Sequence, residues 1–146
     1  MTSAGKIFKF FERDHREIDS LFLESRFKPL AERLALFEEY DRRLERHIVW
    51  EETILFPALT RENPQFEFGP IQVMLMEHKE IRKNRAEVLK ALREGNLEAA
   101  QAHEKSLSSS LSHHNLKEER VIYPACDQLF SDEDASLILS KIQNGA

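Results

Sequence analysis

The sequence predicts an all-α protein, an up-down-up-down four-helix bundle with a short C-terminal helix. Four long segments carry apolar residues in a 3-4-3-4 spacing, which is typical of helices that pack side by side in an antiparallel bundle. None of the four glycines interrupts a long periodic segment, and no segment alternates apolar and polar residues as a strand would. A chain of 146 residues with 41% hydrophobic and 32% charged residues has the composition of one folded domain.

Breaks in this pattern divide the chain into five predicted helices. The breaks contain Gly, Pro, Asn or a Ser-Asp start signal, and they lie at residues 26–29, 63–70, 95–96 and 131–134. The predicted helices cover residues 4–26, 30–62, 70–94, 97–130 and 132–143. Short connections between long helices make sequential neighbours antiparallel. We expect a single domain over residues 1–146, with the bundle at about 7–130 and a tail helix at 131–146.

Composition and charge exclude several classes of function. The net charge of −5 provides neither a basic nucleic-acid surface nor a polybasic membrane patch. No apolar run reaches the roughly 18 residues of a membrane span, and the first residues lack the apolar core of a signal peptide. The single cysteine, Cys126, excludes a disulfide framework and a Cys-rich zinc site. We therefore expect a cytoplasmic protein that binds neither nucleic acid nor membrane.

Each long helix has a histidine in its apolar stripe, and two helices have a glutamate four residues later. The stripes are Phe8, Phe11, His15, Ile18 and Phe22; Phe37, Tyr40, Leu44, His47, Glu51, Ile54 and Ala58; Ile71, Met74, His78, Ile81, Arg85, Val88 and Leu92; and Ala100, Glu104, Leu107, Leu111, His114, Glu118, Val121 and Ala125. Residues i and i+4 share a helix face, so each His/Glu pair points into one core layer. Buried carboxylates are costly unless they are paired or bind a metal. Four histidines and two glutamates at one level therefore predict a metal site, whereas a single stripe histidine would be ordinary packing.

An internal repeat relates the two halves of the predicted bundle. Residues 47–58 and 114–125 share the pattern His-x-x-x-Glu-Glu, then apolar residues, an aromatic residue, Pro and Ala, at a constant offset of 67. Residues 14–18 and 77–81 echo each other more weakly at an offset of 63. Each half contributes two histidines and one glutamate. Packing about a pseudo-twofold axis would gather four imidazoles and two carboxylates, which is enough for two metal ions bridged by two carboxylates.

The order His…His-x-x-x-Glu…His…His-x-x-x-Glu on four helices resembles the hemerythrin-like, or HHE cation-binding, family over residues 7–130. In that family the bundle holds a non-haem di-iron centre in which histidines cap each iron and two carboxylates and an oxygen species bridge the ions. The resemblance implies two non-haem Fe ions with an oxo or hydroxo bridge, with Mn or Zn as alternatives. It assigns the metal ligands as His15, His47, Glu51, His78, His114 and Glu118. Ferritin-like bundles differ, because their motif helices have the order Glu-x-x-His.

One departure from the family narrows the expected function. Oxygen-carrying hemerythrins have a further histidine one turn before the third-helix ligand, and this chain has Met74 there. The resemblance then implies a six-ligand variant with an open position on each ion, similar to bacterial members tied to iron–sulfur cluster repair and nitrosative stress. We expect a protein that binds, senses or responds to oxygen, nitric oxide or related oxidative and nitrosative species.

Two other functions are consistent with the sequence. One is an iron storage or donor protein, including a protein of iron–sulfur cluster repair, and the other is a partner-binding bundle with a structural metal pair. No separate substrate pocket is indicated, which favours a binding protein over an enzyme. The many aromatic residues at positions 8–11 and 66–68 would suit a homodimer or an unknown protein partner.

Four polar residues near the predicted centre are assigned other roles. His113 lies about 100° around the helix from His114, and His103 lies more than two turns away, so neither is a predicted ligand. Glu52 and Glu119 repeat each other off the stripes. We expect them to be solvated or to support ligands from outside the centre.

The remaining stripe and repeat residues have structural interpretations. Glu104 and Arg85 occupy stripe positions away from the histidines, and we expect an ion pair between them. Tyr40 and Tyr123 are expected to pack in the core, with a hydrogen bond to a ligand as the alternative for either. Pro57 and Pro124 each follow a stripe histidine by ten residues and should kink or end their helices.

Overall fold

The computed structural model describes residues 5–145, which form helices joined by short turns. The α-helices are α1 (Lys6–Ser25), α2 (Leu30–Trp50), α3 (Phe56–Glu62), α4 (Pro70–Arg93), α5 (Leu97–Lys117), α6 (Tyr123–Leu129) and α7 (Asp132–Gly145). Two π-helical segments, Glu51–Leu55 and Glu118–Ile122, connect α2 to α3 and α5 to α6, and a 3-10 turn at Pro64–Phe68 precedes α4. Between residues 5 and 145 there is no strand. The predicted all-α four-helix bundle with a C-terminal helix is confirmed.

The two π-helical segments occur at equivalent places in the repeat. Each begins at the stripe glutamate, and its closing hydrogen bond spans five residues: the N–H of Phe56 donates to the carbonyl of Glu51, and that of Tyr123 to the carbonyl of Glu118. The proline that follows has no N–H to donate, which disturbs α-helical bonding in this turn. Both helices nevertheless continue past the proline. The local disturbance is therefore a change of winding, and the helix does not end there.

The change of winding rotates every side chain that follows it. Val121, which the stripe places in the core, is 46% exposed, and Ala125 is only half-buried. Ile122 and Tyr123 are fully buried in their place. The predicted end of the fourth stripe was wrong because a constant 3-4 spacing assumes α-helical winding, whereas a π turn contains an extra residue.

A side chain from α6 caps the N-terminus of α1 and holds the two helices together. The carboxylate of Asp127 accepts hydrogen bonds from the backbone N–H groups of Ile7 at 2.9 Å and Phe8 at 3.0 Å. These N–H groups belong to the first helical turn, where no earlier carbonyl is available. Gly5 leaves room for the carboxylate, because a Cβ there would lie 2.4 Å from Cγ of Asp127. This contact brings the His15 level of α1 towards the π-helical segment that leads into α6.

Glu104 does form a buried ion pair, but its partner is different from the one expected. Arg33 of α2 donates from Nη2 to Oε1 of Glu104. Arg85 of α4 instead pairs with Asp41 at 2.6 Å and Glu45 at 2.5 Å. The expected Glu104–Arg85 pair was wrong because a stripe position sets a residue's level in the bundle and leaves open which neighbouring helix it faces.

Two apolar clusters fill the core, one on each side of the histidine level. One cluster includes residues of α1, α3, α6 and α7, and the other lies between α1, α2, α4 and α5. Ile138 and Ile142 of α7 are buried against the first cluster. None of the helices described is both long enough and apolar enough for a membrane crossing.

Candidate metal centre

The six residues assigned as ligands from the sequence lie together in one buried layer, and each is at most 3% exposed. Four helices contribute one histidine each, and the two glutamates begin the π-helical segments. These residues form two groups, and in each group one nitrogen or oxygen atom from every residue lies within 4.8 Å of the others. One group is His15, His47, Glu51 and Glu118, and the other is His78, His114, Glu51 and Glu118. The two groups share both glutamates.

The carboxylate of Glu118 reaches both groups. Its Oε1 lies 3.1 Å from Nε2 of His15, and its Oε2 lies 3.1 Å from Nε2 of His114. Glu51 is arranged in the same way, with Oε1 3.2 Å from Nε2 of His78 and Oε2 3.4 Å from Nε2 of His47. Each glutamate thus directs one oxygen towards each pair of histidines, which is the arrangement of a carboxylate that bridges two cations.

Several polar atoms at the centre of the layer face one another at ion-pair distance without forming a well-aligned hydrogen bond. They are Oε1 of Glu51, Oε2 of Glu118 and Nε2 of His78. Buried polar atoms nearly always form good hydrogen bonds, so a group that does not requires an explanation. Imidazole nitrogen and carboxylate oxygen are common ligands of transition-metal ions. The donor set and these poorly bonded atoms therefore fit a cation.

The outward-facing nitrogen of each of the four histidines in the layer is held by a carboxylate. The distance from Nδ1 to the carboxylate oxygen is 2.8 Å in the pairs His15–Glu119, His47–Asp14 and His78–Glu52. It is 2.9 Å in the pair His114–Glu77. An Nδ1–H that donates to an acid leaves the lone pair of Nε2 facing the layer, where it can bind a metal. The four carboxylates therefore orient all four imidazoles.

These orienting carboxylates follow the internal repeat. Asp14 and Glu77 hold the other histidine of their own half, whereas Glu52 and Glu119 each hold a histidine of the opposite half. Glu52 and Glu119 were expected to be solvated or to support ligands from outside the centre, and the structure shows the supporting role. The roles of Asp14 and Glu77 were not predicted. A signal was present, since the weaker repeat places an acid directly before a histidine in both α1 and α4.

Tyr123 places its hydroxyl group in the layer, so that of its two predicted roles the hydrogen bond to a ligand is the one observed. The Oη atom donates to Oε2 of Glu51 at 2.6 Å and lies 2.9 Å from Oε1 of Glu118. Burial and the charges of the two glutamates raise the pKa of this hydroxyl well above its usual range. Tyr123 faces the layer because, in a π turn, the residue five positions after Glu118 returns to the same face.

A comparison with known families shows which family contains this chain. The model of a family described as the hemerythrin HHE cation binding domain matches residues 6–126. The chain belongs to this family. The resemblance inferred from the sequence is thereby confirmed, and so is its coarser consequence, that this is a cation-binding domain. No curated protein and no solved structure matches the chain.

Electrostatics in this hemerythrin domain favour charged imidazoles when no cation is bound. Burial alone would lower the pKa of His47, but the charge of Glu51 and the hydrogen bond to Asp14 raise it to about 10. Burial is likewise outweighed at His78, whose pKa is raised to about 10 by Glu118 and Glu51. Burial would raise the pKa of Glu118, yet the charge and hydrogen bond of His114 hold it well below its usual range. A bound cation would take over the neutralising role of these imidazolium groups.

The other candidate residues of the hemerythrin domain lie outside the layer. His113 is exposed and pairs through Nδ1 with the carbonyl of Ser109 at 2.9 Å. His103 lies 3.9 Å from Glu87 on the surface. Cys126 is buried, and burial raises the pKa of its thiol well above the usual range, so the thiol stays protonated.

Proposed function

We propose that this hemerythrin domain holds two iron ions in the six-residue layer and that oxygen or nitric oxide binds there. One observation carries the proposal: two groups of two imidazoles and two carboxylates share Glu51 and Glu118. Each group contains the two-histidine, one-carboxylate set that non-haem Fe(II) favours. The proposed ligands are His15, His47, Glu51, His78, His114 and Glu118. Iron in such a site supplies open coordination positions and one-electron chemistry towards small diatomic molecules.

The surroundings of His78 support an open position. Met74, one turn before His78, is 2% exposed and belongs to the apolar cluster beside the layer. A thioether is a soft ligand that suits copper better than iron, so we assign Met74 to packing. Helix α4 then contributes a single imidazole to its ion, which leaves room for an external ligand. A purely structural metal pair would have no such position.

The ligand assignment is tested by metal content after anaerobic purification. Replacing His15, His47, His78 or His114 by alanine should lower the iron bound per chain, because each removes one inward Nε2. His113→Ala is the matched control, since this neighbour of His114 is exposed and should retain full occupancy. Full iron occupancy in all four ligand variants would contradict the assignment.

The function itself is tested by optical spectra of the reduced, iron-loaded protein. Oxygen, nitric oxide and, for the oxidised form, azide are added in turn, and a change in the visible spectrum with each supports binding at the ions. A spectrum that none of the three changes would favour a closed, structural pair and would overturn the diatomic-ligand proposal.

The orienting carboxylates should contribute to metal affinity. Glu52→Gln should weaken metal binding by roughly 10–100-fold, because Glu52 accepts the Nδ1–H of His78 at 2.8 Å. Glu45→Gln is the matched control, since Glu45 shares the partner Arg82 with Glu52 but has no contact with His78. Calorimetric titration with Zn²⁺ measures both variants, and equal losses would show that the Arg82 contacts, and not the orientation of His78, set the affinity.

A further inference from the structure

We infer that Tyr123 is itself a metal ligand and that its phenolic oxygen makes the two metal positions chemically unequal. The inference rests on the proposed function, because it requires a metal ion at each group of the layer. It goes further by naming a seventh ligand and by assigning the external molecule to one ion of the pair.

The first support is the number of contacts that the hydroxyl makes. Besides its contacts with Glu51 and Glu118, Oη of Tyr123 lies 3.1 Å from Nε2 of His15 and 3.3 Å from Nε2 of His47. All four neighbours belong to the same group. The hydroxyl can accept from the two imidazoles, but its single hydrogen can serve only one of the two carboxylates. The other carboxylate oxygen faces Oη at 2.6 or 2.9 Å without a hydrogen between them, so hydrogen bonding alone does not account for this position.

The second support is the spacing of these contacts. In an octahedral site with bonds of about 2.1 Å, each ligand has four adjacent ligands at about 3.0 Å. The four distances from Oη, between 2.6 and 3.3 Å, match that spacing. Tyr123 therefore stands where a fifth protein ligand of the His15–His47 ion would stand.

The third support comes from the other half of the repeat. Phe56 is the residue equivalent to Tyr123, since both lie five residues after a glutamate shared by the two groups. The ring of Phe56 stacks on that of His78, with centroids 5.8 Å apart and planes 12° apart. Phenylalanine offers no ligand atom. The His15–His47 position thus has five protein donors and the His78–His114 position has four.

This difference assigns a role to each ion. A phenolate is a charged oxygen ligand, and tyrosine ligates the haem iron of catalase. When Tyr123 binds, its proton passes to solvent and the phenolate replaces that proton with a bond to the ion. The ion at His15–His47 is then nearly saturated by protein, and we assign oxygen or nitric oxide to the ion at His78–His114.

The test uses the full chain loaded with ferric iron. A ferric phenolate absorbs visible light by charge transfer, and its ring vibrations are enhanced in resonance Raman spectra. We expect both signatures in the wild type and their loss in Tyr123→Phe, with both ions retained. Phe56→Tyr is the mirror variant: it should add a second phenolate and weaken azide binding at least about tenfold, because the open position is filled.

The outcomes separate the inference from the proposed function. A wild type that binds no iron overturns the proposed function. A wild type that binds two ions without a phenolate signature, or a signature that survives Tyr123→Phe, overturns the inference alone. The chain has only one other tyrosine, Tyr40, so Tyr40→Phe should leave the signature unchanged. If Tyr123→Phe does not fold, the spectra of the wild type and of Tyr40→Phe still decide, because a signature lost in Tyr40→Phe also overturns the inference.

Discussion

Replacing Glu118 with glutamine should release both metal ions, whereas the same replacement at Glu104 should release neither. Glu118 belongs to both donor groups, and its two oxygens lie 3.1 Å from His15 and 3.1 Å from His114. Glutamine preserves the size of the side chain but has no negative charge and only one oxygen. It can neither bridge two cations nor compensate their charge in a buried layer.

Glu104 provides a matched control for this experiment. It lies on the same α5 stripe, is fully buried like Glu118, and pairs with Arg33 away from the layer. Glu104→Gln should therefore cost about 3 kcal/mol of stability through the loss of a buried ion pair but keep the bound metal. Metal analysis of both purified variants gives the comparison. Retention of both ions by Glu118→Gln would remove Glu118 from the ligand set.

The sequence predicts the inner layer because the spacing of its residues is local. His47 and Glu51, like His114 and Glu118, are one α-helical turn apart, and the winding stays α-helical up to the glutamate. The face that they share therefore follows from the sequence alone. The apolar residues on either side of each histidine show which face of the helix is buried. The position of each histidine along its stripe then predicts the level at which the four imidazoles meet.

The spacing of residues along one helix does not predict which side chains pair between helices. Glu104 pairs with Arg33 and not Arg85 because the rotation of each helix decides which neighbour a buried side chain faces. The Asp14–His47 contact likewise joins two helices, although Asp14 is adjacent to a different histidine in the chain. A repeat in one chain shows that two halves are alike, but it does not show which acid reaches which imidazole.

The two π-helical segments are the main reason why the positions of side chains after each glutamate were predicted incorrectly. Periodicity at 3.6 residues placed Val121 in the core and favoured packing for Tyr123, whereas the π turn exposes the first and turns the second into the layer. The repeated glutamate and proline mark the place where the winding changes. Their spacing did not reveal the i+5 hydrogen bond, because that bond depends on the packing of the whole layer.

Removing the metal should lower the melting temperature of the protein, and the difference between the metal-loaded and metal-free forms should widen from about pH 6 to about pH 9. At a free metal concentration of about 100 times Kd, binding adds about 2.7 kcal/mol of stability. For a domain of this size the gain corresponds to a rise in Tm of about 8 °C. Equal melting temperatures for the two forms would contradict a buried site.

The direction of the pH effect follows from the histidines. The pKa values of His47 and His78 are raised from 6.5 to about 10 in the folded, metal-free protein. The stabilisation from their charged forms is complete below pH 6.5 and is lost as the pH rises through 10. Metal binding requires neutral imidazoles, so each displaced proton raises the affinity up to tenfold per pH unit below that pKa. Above pH 6.5 the metal-free form therefore loses stability as the pH rises, whereas the bound form keeps its stability because its imidazoles are neutral, as they are in the unfolded chain.

Thermal melts of the two forms at several pH values measure this difference directly. Glu118→Gln is the control, because a variant that has lost both ions should melt at one temperature whether or not metal is added. His113→Ala should behave like the wild type, since His113 is exposed and its imidazole lies outside the layer. A difference in Tm that stays constant or shrinks with rising pH would mean that the ions do not displace protons from His47 and His78. The layer would then hold its cations through the carboxylates alone, and the imidazoles would have only a structural role.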